Sequence, residues 1–184
     1  MVAVPSTMLA LGTPCPEFQL VDPEGRVYRL ADFEDARGLL VIFMCNHCPY
    51  VIYVAELLET VHGICDKYDI AMCGINSNDI TTHPDDSPEK MLEASDNYGW
   101  TFPYLFDETQ DVAKQFGAAC TPDVFLFDSN GTLYYRGQFD GTRPNDGIEG
   151  DGADLINALQ QMVNNEPPPE NQMPAVGCNI KWKQ

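Results

Sequence analysis

The sequence predicts an α/β domain, a mixed central sheet with helices on both faces. Three observations carry that expectation. From residue 39 onward, strand-length apolar runs alternate with segments of helical periodicity. The alternation ends in a hairpin and a helix rather than another crossover unit, which makes the sheet mixed rather than all parallel. The chain has 184 residues, 44% hydrophobic and 21% charged, a globular composition long enough for one sizeable core.

The elements follow in order. Phe18–Val21 and Arg26–Leu30 flank the turn Asp22-Pro23-Glu24-Gly25 and read as a short hairpin. Leu39–Met44 is a buried strand, apolar on both faces. From Pro49 to Tyr68, Val51, Val54, Ala55, Leu58, Val61 and Cys65 recur at helical spacing. Ile70–Ile75 is a second buried strand, and Thr81–Pro88 a polar loop. Ser87-Pro88 then supplies an N-cap and a first-turn proline for a helix carrying Met91, Ala94, Ser95 and Tyr98. Phe102–Phe106 is a short strand, and Gln110–Phe116 a short helix stopped by Gly117. Val124–Phe127 and Thr132–Arg136 flank Asn130-Gly131, which signals a two-residue hairpin loop. A Gly- and Asp-rich loop, Gly137–Gly152, leads to a last helix with Leu155, Ile156, Leu159, Met162 and Val163 on one face. The organisation expected is one domain over residues 1–165, with residues 1–36 as an N-terminal hairpin extension. Residues 166–184, opened by Pro167-Pro168-Pro169, form a hinge and tail.

The formal net charge is −18, with only five Lys, two of them (Lys181 and Lys183) in the last four residues. Nucleic acid and anionic membrane are therefore excluded as partners, since binding phosphate needs a basic face. No apolar run approaches the roughly 20 residues that span a bilayer. Met1–Leu11 lacks a basic segment followed by a long apolar one, so no signal peptide is expected and the setting is read as cytoplasmic. There thiols stay reduced unless they are catalytic, redox-sensing or metal-bound, so most of the seven Cys are expected as small buried hydrophobes.

Cys45-Asn46-His47-Cys48 is the exception. A CxxC between a buried strand and an amphipathic helix points to thiol–disulfide chemistry. The expectation places Cys45 at the helix N-terminus, where free N–H groups and the dipole stabilise a thiolate. Cys48 lies within reach of its sulfur, Pro49 is tolerated in the first turn, and a protonated His47 lowers the Cys45 pKa further. Asn46, His47 and Pro49 are thus site-tuning residues. No second CxxC or paired His accompanies the motif, so no metal is expected, and thiol exchange needs no organic cofactor. Cys120-Thr121-Pro122 precedes a strand; sequence alone leaves its proline open between cis and trans. Cys120 and Cys178 are candidate auxiliary thiols. The acidic residues Asp140, Asp146, Glu149, Asp151 and Asp154 do not have calcium-loop spacing and read as a solvated loop, in which Arg143 is a candidate substrate contact.

Strand–CxxC–helix followed by Thr-Pro ahead of a hairpin resembles the thioredoxin fold. The opening Pro16–Asp22 with Gly25, the segment Phe43–Val51, Cys120–Asp123, Arg143-Pro144 and the tail Gly177–Lys183 together resemble a peroxiredoxin-like group of the redoxin superfamily, over nearly the whole chain. The resemblance implies a thioredoxin-like fold and antioxidant or disulfide-exchange activity. It implies that Pro122 is cis and packs against the CxxC, and that the Thr121 backbone pairs with an extended partner segment. It also carries a fork. The peroxidatic Cys of peroxiredoxins aligns with Cys48, but their catalytic Thr is Cys45 here and their Arg falls near Pro122. The expected function is a thiol–disulfide oxidoreductase using Cys45 as nucleophile and Cys48 to resolve, acting on a protein or small thiol or disulfide. The alternatives are a thiol peroxidase with Cys48 peroxidatic, taking a hydroperoxide, and a non-catalytic or metal-binding protein on the same fold.

Overall fold

The computed structural model describes residues 3–184. In order come β1 (Ala3–Pro5), β2 (Gln19–Val21), β3 (Val27–Arg29), a 3-10 turn (Leu30–Phe33), β4 (Gly38–Phe43), α1 (Pro49–Tyr68), β5 (Ala71–Asn76), a second 3-10 turn (Pro84–Asp86), α2 (Pro88–Tyr98), β6 (Tyr104–Phe106), α3 (Asp111–Phe116), β7 (Cys120–Thr121), β8 (Asp123–Asp128), β9 (Leu133–Gly137), α4 (Ala153–Val163) and β10 (Val176–Asn179). The main sheet has the strand order β3-β2-β6-β5-β4-β8-β9. β4, β5 and β6 are parallel, and the β2–β3 and β8–β9 pairs are antiparallel, so the sheet is mixed as expected.

β4 is central and buried along its whole length. Its alternation divides the core in two. Leu40, Ile42 and Met44 face α1, α2 and α4. Leu39, Val41 and Phe43 face α3 and the N-terminal segment. The helical stripe read from the sequence, Val51, Val54, Ala55, Leu58, Val61 and Cys65, is buried in full. On the other face Phe116 is fully buried and meets the rings of Phe18, Phe43, Phe125 and Phe127 at centroid distances of 5.3 to 6.4 Å.

Three expectations need correction. β8 and β9 are joined by Ser129–Thr132, four residues rather than two. A two-residue type I′ turn needs positive φ at both central positions, and here only Gly131 has it (φ 68°). The Gly131 amide instead donates to Asp128 O, and the Asp128 carboxylate accepts from the Asn130 and Thr132 amides. The polar loop Thr81–Pro88 is not simply solvated, because its 3-10 turn buries Asp86 completely. The segment read as a tail carries β10, which lies between β1 and β7 in a separate three-stranded sheet. Beyond it, Ile180 N donates to Ala119 O, Lys181 N to Asn78 Oδ1 and Lys183 N to Gln110 Oε1.

Phe116→Ala is expected to lower unfolding free energy by about 3–5 kcal/mol, the usual cost of an aromatic-sized cavity in a core that cannot collapse. Urea denaturation followed by far-ultraviolet circular dichroism measures it; a loss below about 1 kcal/mol would mean that the five-ring cluster does not hold this face together.

Candidate active site

β4 delivers the chain to Cys45, a short turn carries it through Asn46 and His47, and α1 begins at Pro49. Cys48 is the N-cap, with extended backbone (φ −72°, ψ 122°). The structure therefore moves the helix N-terminus from Cys45 to Cys48. The cause is Pro49: it pushes the residue before it out of the helical region, so the helix starts no earlier than the proline itself.

This changes which sulfur is activated. The Cys48 thiol is pulled down to about 5, chiefly by a hydrogen bond from Cys45, with further donation from Cys178, Thr121 and the Val51 amide outweighing burial. Cys48 Sγ also lies 3.1 Å from Thr121 O, to which the protonated thiol donates. Cys45 is pushed well above its ordinary value, first by donating to Cys48, then by burial and the nearby Asp86 charge. Its sulfur is 3.5 Å from Thr121 Oγ1. Both sulfurs are enclosed, Cys45 at 1% and Cys48 at 0% exposure.

Asp86 underlies the turn. Its Oδ1 accepts from the Asn46 amide (2.8 Å) and its Oδ2 from Asn78 Nδ2 (2.8 Å). Burial raises its pKa, but His47, Asn78 and the Asn46 amide outweigh burial and hold the carboxyl below its usual range. His47 Nδ1 approaches Asp86 Oδ2 to 2.7 Å. Asp86 raises the His47 pKa, and burial opposes it. His47 stacks on His83 at 5.3 Å between centroids. Tyr104 Oη donates to Asn46 Oδ1 at 3.0 Å. Asp86, His83 and Tyr104 carry no motif, and sequence reasoning missed them; the one hint was an Asp-Asp pair in the polar loop.

The second element closes on the first. The Thr121–Pro122 peptide bond is cis, and Thr121 lies beside both sulfurs. Its backbone edge is already paired with β10, Thr121 opposite Cys178, so the expected strand-addition contact is filled by the protein's own chain. Cys120 is buried, its pKa raised first by burial and then by Asp123, Cys48 and Cys178 nearby, and its thiol donates to Pro122 O. Pro49 is exposed at the helix start. Arg143 is committed to Gln138 Oε1 and to the carbonyls of Asp140 and Thr142. Asp140, expected in a solvated loop, is nearly buried and accepts the Asp151 and Gly152 amides at the start of α4. One metal-capable group exists among the described residues: donor atoms of Cys45, His47 and Asp86 lie within 4.8 Å of one another. A thiolate, an imidazole and a carboxylate are each zinc ligands, and three of them would leave a fourth position open.

Residues 11–136 match the AhpC/TSA family. The chain belongs to the AhpC/TSA family. A crystal structure of an uncharacterized conserved protein from Geobacillus kaustophilus superposes with a TM-score of 0.96 at 44% identity, covering 100% of this chain and 97% of that one. The thiol-disulfide oxidoreductase ResA of Geobacillus thermodenitrificans is 29% identical over 127 residues, 69% of this chain and 68% of its own. The thioredoxin domain of a thiol-disulfide oxidoreductase from Bacteroides vulgatus shares the fold, with a TM-score of 0.66 at 19% identity over 85% of this chain and 99% of that one. The thioredoxin-like α/β fold expected from the sequence is thus the fold found. Within this AhpC/TSA protein, the sheet and α1 place Cys48 where the helix N-terminus acts on it.

Asp123, at the start of β8, holds β7 in place. Its Oδ2 accepts the Ala119 amide at 3.0 Å, while Oδ1 is buried without a hydrogen bond. Burial raises its pKa to about 7, against backbone donors that lower it. A carboxyl raised in the folded state keeps a proton that the unfolded chain loses near pH 4, so its contribution to stability falls as pH rises from about 4 to 7. Asp123→Asn is expected to escape this loss and gain on the wild type across that window, by up to about 4 kcal/mol. Urea midpoints at several pH values test it; a constant offset between the two proteins would show that Asp123 titrates normally.

Proposed function

We propose that this AhpC/TSA protein is a thiol–disulfide oxidoreductase cycling between a Cys45/Cys48 dithiol and its disulfide. The observation that carries the reading is the placement of the pair: Cys45 Sγ lies 3.5 Å from Thr121 Oγ1 and Cys48 Sγ 3.1 Å from Thr121 O, ahead of a cis proline, with Cys48 at the N-cap of α1. The Cys48 thiolate attacks one sulfur of a partner disulfide, whose S–S bond breaks and releases one partner thiolate. Cys48 then holds the other half as a mixed disulfide. Cys45 was held protonated chiefly by donating to Cys48; capping Cys48 removes that cause, and the Cys45 pKa falls. Its thiolate attacks Cys48 Sγ, the mixed disulfide breaks, and Cys45–Cys48 forms. The partner gains two electrons and the pair loses two. Asp86 raises the His47 pKa, and the protonated ring places positive charge near Cys48. This reverses the order of attack expected from the sequence. The partner class is a thiol or disulfide, small or protein, and the setting proposed is the cytoplasm, since Cys65 and Cys73 serve as fully buried core side chains.

The same low-pKa Cys48 supports a second reading, a thiol peroxidase. In it the Cys48 thiolate attacks one peroxide oxygen, the O–O bond breaks, the other oxygen leaves and takes up a proton as water or an alcohol, and a sulfenic acid results. Such chemistry gains from an adjacent guanidinium, and Arg136 and Arg143, on β9 and the loop after it, are committed to Leu9 O, Gln172 and Gln138 instead.

Alkylation of the reduced protein should show one thiol with an apparent pKa near 5, lost in Cys48→Ser. Cys48→Ser should also abolish exchange with oxidised glutathione, while wild type loses two thiols and forms the Cys45–Cys48 disulfide. A stabilised thiolate favours the reduced form, so the reduction potential should lie above the roughly −270 mV of thioredoxin. Rapid consumption of hydrogen peroxide that survives in Cys45→Ser would transfer the assignment to the peroxidase, and stoichiometric zinc on purification would transfer it to a metal site at Cys45, His47 and Asp86.

A further inference from the structure

We propose that β10 is a built-in partner strand, filling the Thr121 edge and presenting Cys178 as a third redox thiol that exchanges with Cys48. The inference rests on the oxidoreductase reading and deepens it. In that reading, an incoming segment pairs with the backbone at Thr121; here β10 holds that place, with Cys178 opposite Thr121 and Asn179 opposite Cys120. Residues directly opposite in an antiparallel pair project to the same face. The Thr121 side chain lies against Cys45, so the Cys178 side chain points to the same thiol cluster. Cys178 is 4% exposed, and its thiol is pushed up to about 12, first by burial and then by the neighbouring Cys48. Cys48 is thus the middle sulfur of three, held by Cys45 on one hand and Cys178 on the other.

The approach of β10 is set by Gly177. A Cβ there would fall 2.1 Å from Thr121 O and 2.6 Å from Thr121 C, so only glycine lets the strand come this close. β1 covers the outer edge of β10, and the tail beyond it is hydrogen-bonded to Asn78, Gln110 and Ala119. The strand is anchored at both sides, which makes Cys178 a standing neighbour of Cys48 rather than a visitor.

The step is an isomerisation with no net electron transfer. The Cys178 thiol gives up its proton, and the thiolate attacks Cys48 Sγ of the Cys45–Cys48 disulfide. That bond breaks, Cys48–Cys178 forms, and Cys45 leaves as a thiolate that takes up the proton. The same attack resolves a mixed disulfide between Cys48 and an external partner, releasing the partner as a thiol.

The test is disulfide mapping by mass spectrometry after the reduced full-length protein meets stoichiometric oxidised glutathione and is quenched by alkylation. Cys45→Ser is expected still to lose two thiols and to yield a Cys48–Cys178 link. Cys45→Ser with Cys178→Ser is expected to stall with glutathione on Cys48. Adding Gly177→Ala to Cys45→Ser should slow closure roughly tenfold, the factor that corresponds to about 1.4 kcal/mol of lost strand pairing. If Cys45→Ser stalls with glutathione on Cys48 while wild type closes Cys45–Cys48, the third-thiol role falls and the oxidoreductase reading stands. If wild type itself takes up no glutathione and closes no disulfide, both fall. An unchanged closure rate with Gly177→Ala overturns the positioning role of β10.

Discussion

The site depends on one buried carboxylate. Asp86 has no exposed surface, and a charge so placed is tolerated only when it is paired and hydrogen-bonded. Its partners are the Asn46 amide, Asn78 Nδ2 and the His47 ring, so the requirement to satisfy Asp86 ties the turn between the two cysteines to the 3-10 turn ahead of α2. It also bears on charge: Asp86 raises the His47 pKa, and its field adds to the Cys48 hydrogen bond and the burial that raise the Cys45 pKa. The position of the turn and the raised pKa of His47 both trace to the same group.

Against that frame, two opposing effects act on each sulfur. Burial disfavours a thiolate at either cysteine, while hydrogen bonds favour it only where donors converge. They converge on Cys48, because Pro49 makes it the N-cap and leaves the Val51 amide aimed at it. Cys45 has a hydroxyl nearby but an anionic neighbour as well, and it ends as donor. A protein in which the helix began one turn earlier would reverse the assignment.

The C-terminal segment links the fold to the site. β10 brings together β1 from the start of the chain and β7 from beside the CxxC, closing a small second sheet over the active end of the main one. Gly177 allows the close contact at Thr121, and the residues after it are tied down by backbone hydrogen bonds to loops that themselves support Asp86, through Asn78. The tail is thereby part of the site's architecture.

Much of this was legible in the amino-acid sequence. The buried run of β4, the six-residue apolar face of α1, the Ser87-Pro88 helix start and the CxxC between strand and helix all depend on local pattern, and periods of 2 and 3.6 residues report local pattern faithfully. What tertiary structure alone decided involves residues far apart in the chain. Asp86 under Asn46, His83 on His47 and Cys178 beside Cys48 are separated by 36 residues or more, and no propensity or spacing records such contacts. The activated sulfur belongs to the same class. The motif names two cysteines, but the choice between them is made by which one the assembled donors reach.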